Sequence, residues 1–423
     1  MMVFLKSLRA SLFRHLVLTL LLSGVFSISV RAESQTVGLE RLPELAKMDS
    51  AGLLLMDSAN QPWKYKDRKR LFVPASTTKL VTAFLALSHW GEHHRFKTDF
   101  YLERQAGKTI LWVKGYGDPF LISEELQQVA VQLQRRLVTE DIGKIDVIGL
   151  DTGYFVDHLV LPGTESSDNP YDAIPSAIAA NFNTLFLKKV DGKVVSAEEQ
   201  TPLTETARRL GASMSLEELR FNTGSDPQVG QTYFAELLAA FLRQQGVKVG
   251  KQVIHGTVKE ESPLFYSHLN SRELADMIRP MMKYSTNFIA NQLALKLAAE
   301  MYGAPADESK VAKMFAAQLQ HYFDWQGAVI EDGAGLSRNN RLSPEQLIEV
   351  LEKFRAWKHL LPEVEEHVYA KSGSLIGVSA LAGYIEHRKS WLPFVVMINQ
   401  QVPYYHYRND VAGVLSREIW AQK

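Results

Sequence analysis

The chain has 423 residues, 46% of them hydrophobic and 22% charged, with 47 basic against 47 acidic residues and no cysteine. That length exceeds one typical domain, and the mixture supports a sizeable buried core. Balanced charge leaves no electrostatic footprint for nucleic acid or a membrane surface. The missing cysteine excludes disulfides, thiolate nucleophiles, cysteine-held metals and lipid attached to an N-terminal cysteine.

Residues 1–32 read as an export signal. Lys6, Arg9 and Arg14 precede the apolar run "LVLTLLLSGVFSISV", and the small residues Val30 and Ala32 suit cleavage after Ala32. An uncleaved anchor is the competing reading, for which this run is short. Cleavage leaves 43 of the 47 basic residues against 47 acidic ones, so the mature chain is mildly acidic, at −4. No second span follows, so no stable membrane anchor is expected.

Residues 51–57 and 62–66 flank "SAN" and predict a β-hairpin. "VPASTTKL", residues 73–80, then leads into a buried helix reaching about Leu87. Short strands punctuated by glycine come next, then a helix over 123–136 and the strand "KIDVIGLD". Residues 158–175 are loop-like, and residues 188–230 are polar and weakly patterned. "TYFAELLAAFLRQQG" predicts an amphipathic helix and "KQVIHGTV" a strand. From residue 270 long helices dominate, one expected to break near Pro280, and "LSPEQLIEV" supplies Ser343 as N-cap with Pro344 behind it. "HVYAKSG", "GVSALAGYIE" and "WLPFVVMINQ" close the chain as strands.

Three short motifs stand out in this frame. Ser76 and Lys79 are three apart, so a helix starting there puts amine and hydroxyl on one face. Alone, S-x-x-K is also an ordinary N-cap followed by an exposed lysine. Ser285 and Asn287 form S-x-N, and Lys371, Ser372 and Gly373 form K-S-G on a strand, where the missing Cβ lets a substrate backbone lie close. Each is common by chance; the ordered trio is not. It is similar to the motif set of penicillin-binding proteins and serine β-lactamases.

With "GYGDP", "LDTGYF", "LPGTESSDNPYDAIPSAIAANFNT" and "DGAGLSRNNRLSP", the sequence resembles the D-alanyl-D-alanine carboxypeptidase/endopeptidases of peptidase family S13, the class C low-molecular-mass penicillin-binding proteins. The resemblance runs over nearly the whole mature chain and is weakest over 188–225. It implies an α+β fold: a transpeptidase-like domain, with an antiparallel sheet between helices, interrupted by an inserted mixed α/β region. Residues 33–94 and 266–423 would form the catalytic domain and 95–265 the insert. It also implies a periplasmic or extracellular enzyme acting on peptidoglycan stem peptides, with β-lactam antibiotics as covalent inhibitors. Three departures accompany it. K-S-G stands for the usual K-T-G, and Asn291-Gln292 for Ala-Glu. Ser76 and Ser285 are only 209 positions apart, which suggests a reduced subdomain within 188–225.

A serine hydroxyl needs a base, and no motif places a histidine, so Lys79 is the candidate, held partly neutral by burial and by the charge of Lys371. Ser285 would relay the proton to the departing amine, and Asn287 would bind the substrate amide and fix Lys79. The amides of Ser76 and Ser374 would hold the oxyanion. Lys371 and Ser372 would attract the terminal carboxylate. Asp151 has two readings, contact with a basic group of the substrate or a turn cap. His93 and His94 are adjacent, poor metal spacing, and "GYGDP" lacks the lysine of a phosphate loop; no cofactor or metal is expected. Asp332 and Arg338 read as structural. The rival functions are a serine β-lactamase or esterase on the same fold and a non-hydrolytic wall-binding scaffold.

Overall fold

The computed structural model describes residues 36–422 apart from Gln326; the expected export signal lies outside the described residues. The chain opens with β1 (Thr36–Val37), α1 (Pro43–Lys47) and the hairpin β2 (Ala51–Met56) and β3 (Pro62–Lys66). A 3-10 turn over Ala75–Thr77 runs straight into α2 (Thr78–Trp90). The middle holds β4 (Lys97–Gln105), β5 (Lys108–Gly115), α3 (Ser123–Thr139), β6 (Lys144–Asp151), β7 (Thr184–Val190) and β8 (Lys193–Ser196). It continues through α4 (Glu205–Gly211), β9 (Glu218–Asn222), α5 (Pro227–Gln244), β10 (Lys248–His255) and β11 (Leu264–Leu269). Then come α6 (Leu274–Tyr284), α7 (Asn287–Tyr302), α8 (Glu308–Phe323) and α9 (Pro344–Phe354). The last elements are β12 (Glu363–Glu365), β13 (Val368–Leu375), β14 (Val378–His387), β15 (Ser390–Ile398) and α10 (Tyr407–Trp420).

Strands from both ends of the described chain share one seven-stranded sheet, ordered β1-β3-β2-β15-β14-β13-β12, antiparallel throughout. Its two faces follow from alternation along the strands. Leu54, Met56, Val395 and Met397 face the layer of α2, α6, α7, α8 and α9. Leu53, Leu55, Phe394 and Val396 face α1 and α10, through Leu45, Val411 and Leu415. The α+β architecture, with helices on both faces, is the expected one. α9 begins as read, with Pro344 first and a capping box between Ser343 and Gln346.

The middle of the chain builds a five-stranded mixed sheet, β10-β6-β5-β4-β11, and a three-stranded antiparallel one, β8-β7-β9. Their shared core includes Leu111, Ile148, Leu185, Phe221 and Phe234. Residues 188–225 therefore pack into a sheet with a shared core, although their sequence pattern looked weak. Asp191 and Gly192, both at positive φ, make the two-residue turn between β7 and β8, the arrangement an Asp-Gly pair favours.

Pro280 does not break its helix. The buried stripe Leu274, Met277, Ile278, Met281 and Met282 continues across it, and packing holds α6 despite the lost backbone hydrogen bond. The chain turns instead at Ser285, which is left-handed at φ 57° and ψ 36°.

Candidate active site

Ser76 lies in the 3-10 turn ahead of α2 and not inside the helix. The residue before it, Ala75, takes φ 48° and is buried. A non-glycine residue held there costs on the order of 1 kcal/mol and persists only where its surroundings over-determine it. The surroundings are tight. A Cβ at Gly335 (φ 84°) would lie 2.0 Å from the Ala75 carbonyl oxygen, and one at Gly373 would lie 2.9 Å from the Ser76 amide nitrogen. Both glycines are packed against the Ser76 turn.

One helical turn on, the fully buried Lys79 gathers three segments. Its Nζ is 3.0 Å from Ser76 Oγ, 2.8 Å from Asn287 Oδ1 and 2.8 Å from the Ala334 carbonyl oxygen. Asn287 Nδ2 donates to the Tyr171 carbonyl at 3.1 Å, which fixes the orientation of that amide. Two of the three partners of Nζ can therefore only accept. A neutral amine has two N–H bonds and one lone pair, so in that form its hydrogens go to Asn287 and Ala334 and its lone pair faces the Ser76 hydroxyl. Burial, then the charge of Lys371, push the Lys79 pKa well below its ordinary value, while Asp332 opposes the shift. The pair can move a proton from serine to lysine.

Asp332 is buried, with Oδ2 accepting from the amides of Ala334, Gly335 and Leu336 and Oδ1 from Ser337 N and Asn340 Nδ2. It shapes the loop that offers Ala334 to Lys79. Arg338 reaches the Ile376 carbonyl from the same loop.

Lys371, Ser372, Gly373 and Ser374 lie along β13 beside the Ser76 turn. Lys371 is 1% exposed, its Nζ donates to the Ser372 carbonyl at 2.6 Å, and burial beside Arg408 brings its pKa down to about 7. Ser285 lies two residues before Asn287, the residue that receives Lys79 Nζ. It lines a cavity of about 520 Å³ with Asn287, Tyr171, Phe182 and Phe288. No hydrogen bond joins the Ser285 hydroxyl to Lys79 among the described residues.

The model of the D-Ala-D-Ala carboxypeptidase 3 (S13) family matches residues 38–211 and 213–362. The chain belongs to this family. A D-alanyl-D-alanine carboxypeptidase of Actinomadura sp. (strain R39) is 26% identical over 422 residues, covering 82% of this chain and 77% of that one. D-alanyl-D-alanine carboxypeptidase DacB of Haemophilus influenzae is 31% identical over 192 residues, 40% of each chain. Among solved structures, penicillin binding protein 4 of H. influenzae superimposes with a TM-score of 0.72 at 22% identity, over 91% of this chain and 99% of that one. A predatory endopeptidase of Bdellovibrio bacteriovorus does so at 0.51 and 16% identity, over 88% and 92%. The two structures establish the fold, and the family establishes the D-Ala-D-Ala carboxypeptidase class.

Asp151 is placed differently in this S13 enzyme from the eight other residues read as forming the site. It ends β6 and is buried, with its carboxylate accepting from Val258 N at 3.0 Å and Gly153 N at 3.2 Å and pairing with Lys114 at 3.5 Å. Of the two readings of Asp151, these contacts are those of a turn cap: the carboxylate ties the end of one strand to two loops. Gln292, at one of the departures from the family, donates to the Ser176 carbonyl from inside α7. The His93 ring pairs with Glu273, and no cluster of His, Asp and Glu able to hold a metal occurs among the described residues. The sequence reading missed Tyr171, Ala334 and Arg408, which touch Asn287, Lys79 and Ser374 through contacts too distant in sequence for any motif to signal.

Proposed function

We propose that this S13 enzyme is a serine carboxypeptidase and/or endopeptidase of peptidoglycan stem peptides, acting outside the cytoplasm after loss of residues 1–32. The observation that carries the reading is the position of Lys79 Nζ, 3.0 Å from Ser76 Oγ with its other two contacts on pure acceptors. Lys79 takes the Ser76 proton as Oγ attacks the carbonyl of the D-Ala-D-Ala bond. The amides of Ser76 and Ser374 hold the oxyanion, which develops at the start of α2 where the helix dipole favours negative charge. Ser285 passes the proton to the leaving amine, and water then hydrolyses the ester on Ser76. Penicillin, a mimic of this substrate, would stop at the ester. The H. influenzae protein has been crystallised with a β-lactam, which supports the same sensitivity here.

The test is penicillin labelling of the purified protein, with the adduct mapped by peptide mass spectrometry, alongside release of D-Ala from a peptide ending in D-Ala-D-Ala. The expected results are an adduct on Ser76 that Ser76→Ala abolishes without unfolding the protein, slow loss of the label, and D-Ala release. An adduct elsewhere overturns the assignment. Fast loss of the label with no D-Ala release would make the protein a β-lactamase.

A further inference from the structure

Three basic side chains, Lys79, Lys371 and Arg408, are buried around the Ser76 turn. Arg408 is the one for which the mechanism has no use. It comes from α10, is 5% exposed, and has no carboxylate within ion-pair distance among the described residues. Buried guanidinium groups are ordinarily paired with an acid. Here Nη1 donates to the Gly373 carbonyl at 2.8 Å, Ser374 Oγ at 2.6 Å and Ser379 Oγ at 3.3 Å, while Nε is buried with no partner. The Tyr405 ring lies 5.4 Å from the guanidinium. The groups facing it are thus Lys371 and two serine hydroxyls from the β13–β14 hairpin, and the Tyr405 phenol from the loop before α10. No acid is among them.

We infer that Arg408, through the hydroxyl of Ser374, supplies the positive charge that reads the free terminal carboxylate of the substrate. The inference deepens the proposed function and rests on it for the nature of the substrate. Ser374 and Ser379 face each other across the hairpin, but Ser379 is buried and Ser374 is exposed. A hydroxyl that accepts from a guanidinium keeps its own proton to donate outward, and the charge behind it strengthens that bond. Lys371 is poorly suited to the role given to it by the sequence. Its ammonium is turned onto the next residue's carbonyl, and with a pKa of about 7 it is half neutral in a neutral medium. A guanidinium stays charged throughout that range. Lys371 remains free to serve Lys79, whose pKa its charge depresses. Arg408 is in this sense a positioning residue, acting through Ser374.

The experiment measures equilibrium binding of an N-acetylated peptide ending in D-Ala-D-Ala, as free acid and as C-terminal amide, to Ser76→Ala protein from pH 6 to 9.5. The acid should bind about tenfold more tightly than the amide, as expected for a charge-assisted hydrogen bond. That preference should persist as pH rises past 7. Adding Arg408→Gln should reduce it to less than about twofold without changing amide binding, while Arg408→Lys keeps most of it. Ser374→Ala removes only an exposed hydroxyl and should reduce the preference as Arg408→Gln does, which tests the relay even where the buried substitution impairs folding. A preference that vanishes above pH 7 in the parent protein would assign the charge to Lys371 and overturn the inference, as would one that survives Ser374→Ala. Penicillin labelling of the unsubstituted protein is scored separately. Failure to label would sink the acyl-enzyme and leave the binding result standing.

Discussion

The sheets built by residues 97–269 and the cleft around Ser76 both bury charge, and they treat it in opposite ways. In the inserted sheets each buried acid is met by hydrogen-bond donors, although burial still pushes the Asp118 pKa up to about 6. Glu125 accepts from His268 Nε2 at 2.8 Å and from Ser271 N at 2.7 Å, Asp118 takes both hydrogen bonds that Asn270 Nδ2 offers it, and Asp151 holds two amides and Lys114. In the cleft three basic side chains crowd together, and the nearby acid, Asp332, is already taken up by backbone amides. Matched burial holds a shape, whereas unmatched like charge depresses pKa values and leaves room for an anion. Ala75 and Ser285 take left-handed conformations beside the cleft, where neighbouring segments hold them in place.

The sharpest way to break this contrast is to remove the central cation. Lys79→Ala should lower the rate of penicillin acylation by at least about 10³-fold, because serine and lysine act as one unit and single losses are not additive. In the unsubstituted protein acylation should rise with pH through the lowered pKa of Lys79, since only its neutral form accepts a proton. The Lys371 charge contributes to that lowering, so Lys371→Gln should move the acid limb to higher pH. Stopped-flow or gel-based labelling across pH checks both. A limb that stays in place would show that burial alone sets the base.

A smaller effect is expected from backbone contact. Gly335→Ala forces a Cβ to within 2.0 Å of the Ala75 carbonyl at a φ of 84°, and the clash has no side chain to absorb it. Acylation should fall by about tenfold or more, because a displacement near 1 Å is enough to spoil alignment, and the melting temperature should drop. Gly192→Ala is the matching change in the inserted sheets. It has a similar φ of 73° but nothing within 4 Å, so it should cost about 1 kcal/mol and leave acylation intact. Equal effects of the two substitutions on acylation would remove the special status claimed for the Ser76 turn.

These contacts also mark what the sequence could and could not tell. Ser76 with Lys79, Ser285 with Asn287, and Lys371 through Ser374 were legible because each set is local and its spacing carries meaning. The hairpin turn at Asp191-Gly192 carried its signal too, but the strands around it alternate weakly, with polar residues on half-buried positions. Pro280 misled because a local rule about helix breaking competes with a buried apolar stripe that lies on one face of α6. Arg408, Tyr171 and Ala334 were illegible in principle. Each enters the site from a segment more than 30 residues from its partner, and only the packed sheet and helices bring them there.

Asp151 offers the mildest and most discriminating test. Val258 N donates to one carboxylate oxygen and Gly153 N to the other. An asparagine there must turn its NH₂ toward one of these donors in either orientation, and it loses the charge that faces Lys114. Asp151→Asn should therefore destabilise the fold by about 1–3 kcal/mol, the usual cost of leaving a buried donor unpaired. Acylation by penicillin, and hydrolysis of a peptide bearing a free amine, should both change by less than about twofold, since the Asp151 carboxylate contacts Val258, Gly153 and Lys114 and none of the reacting groups. Urea unfolding gives the first quantity and labelling and D-Ala release give the others. If peptide hydrolysis falls while penicillin labelling and stability hold, Asp151 reaches a basic group of the substrate after all, and matched burial in the inserted sheets is not purely architectural.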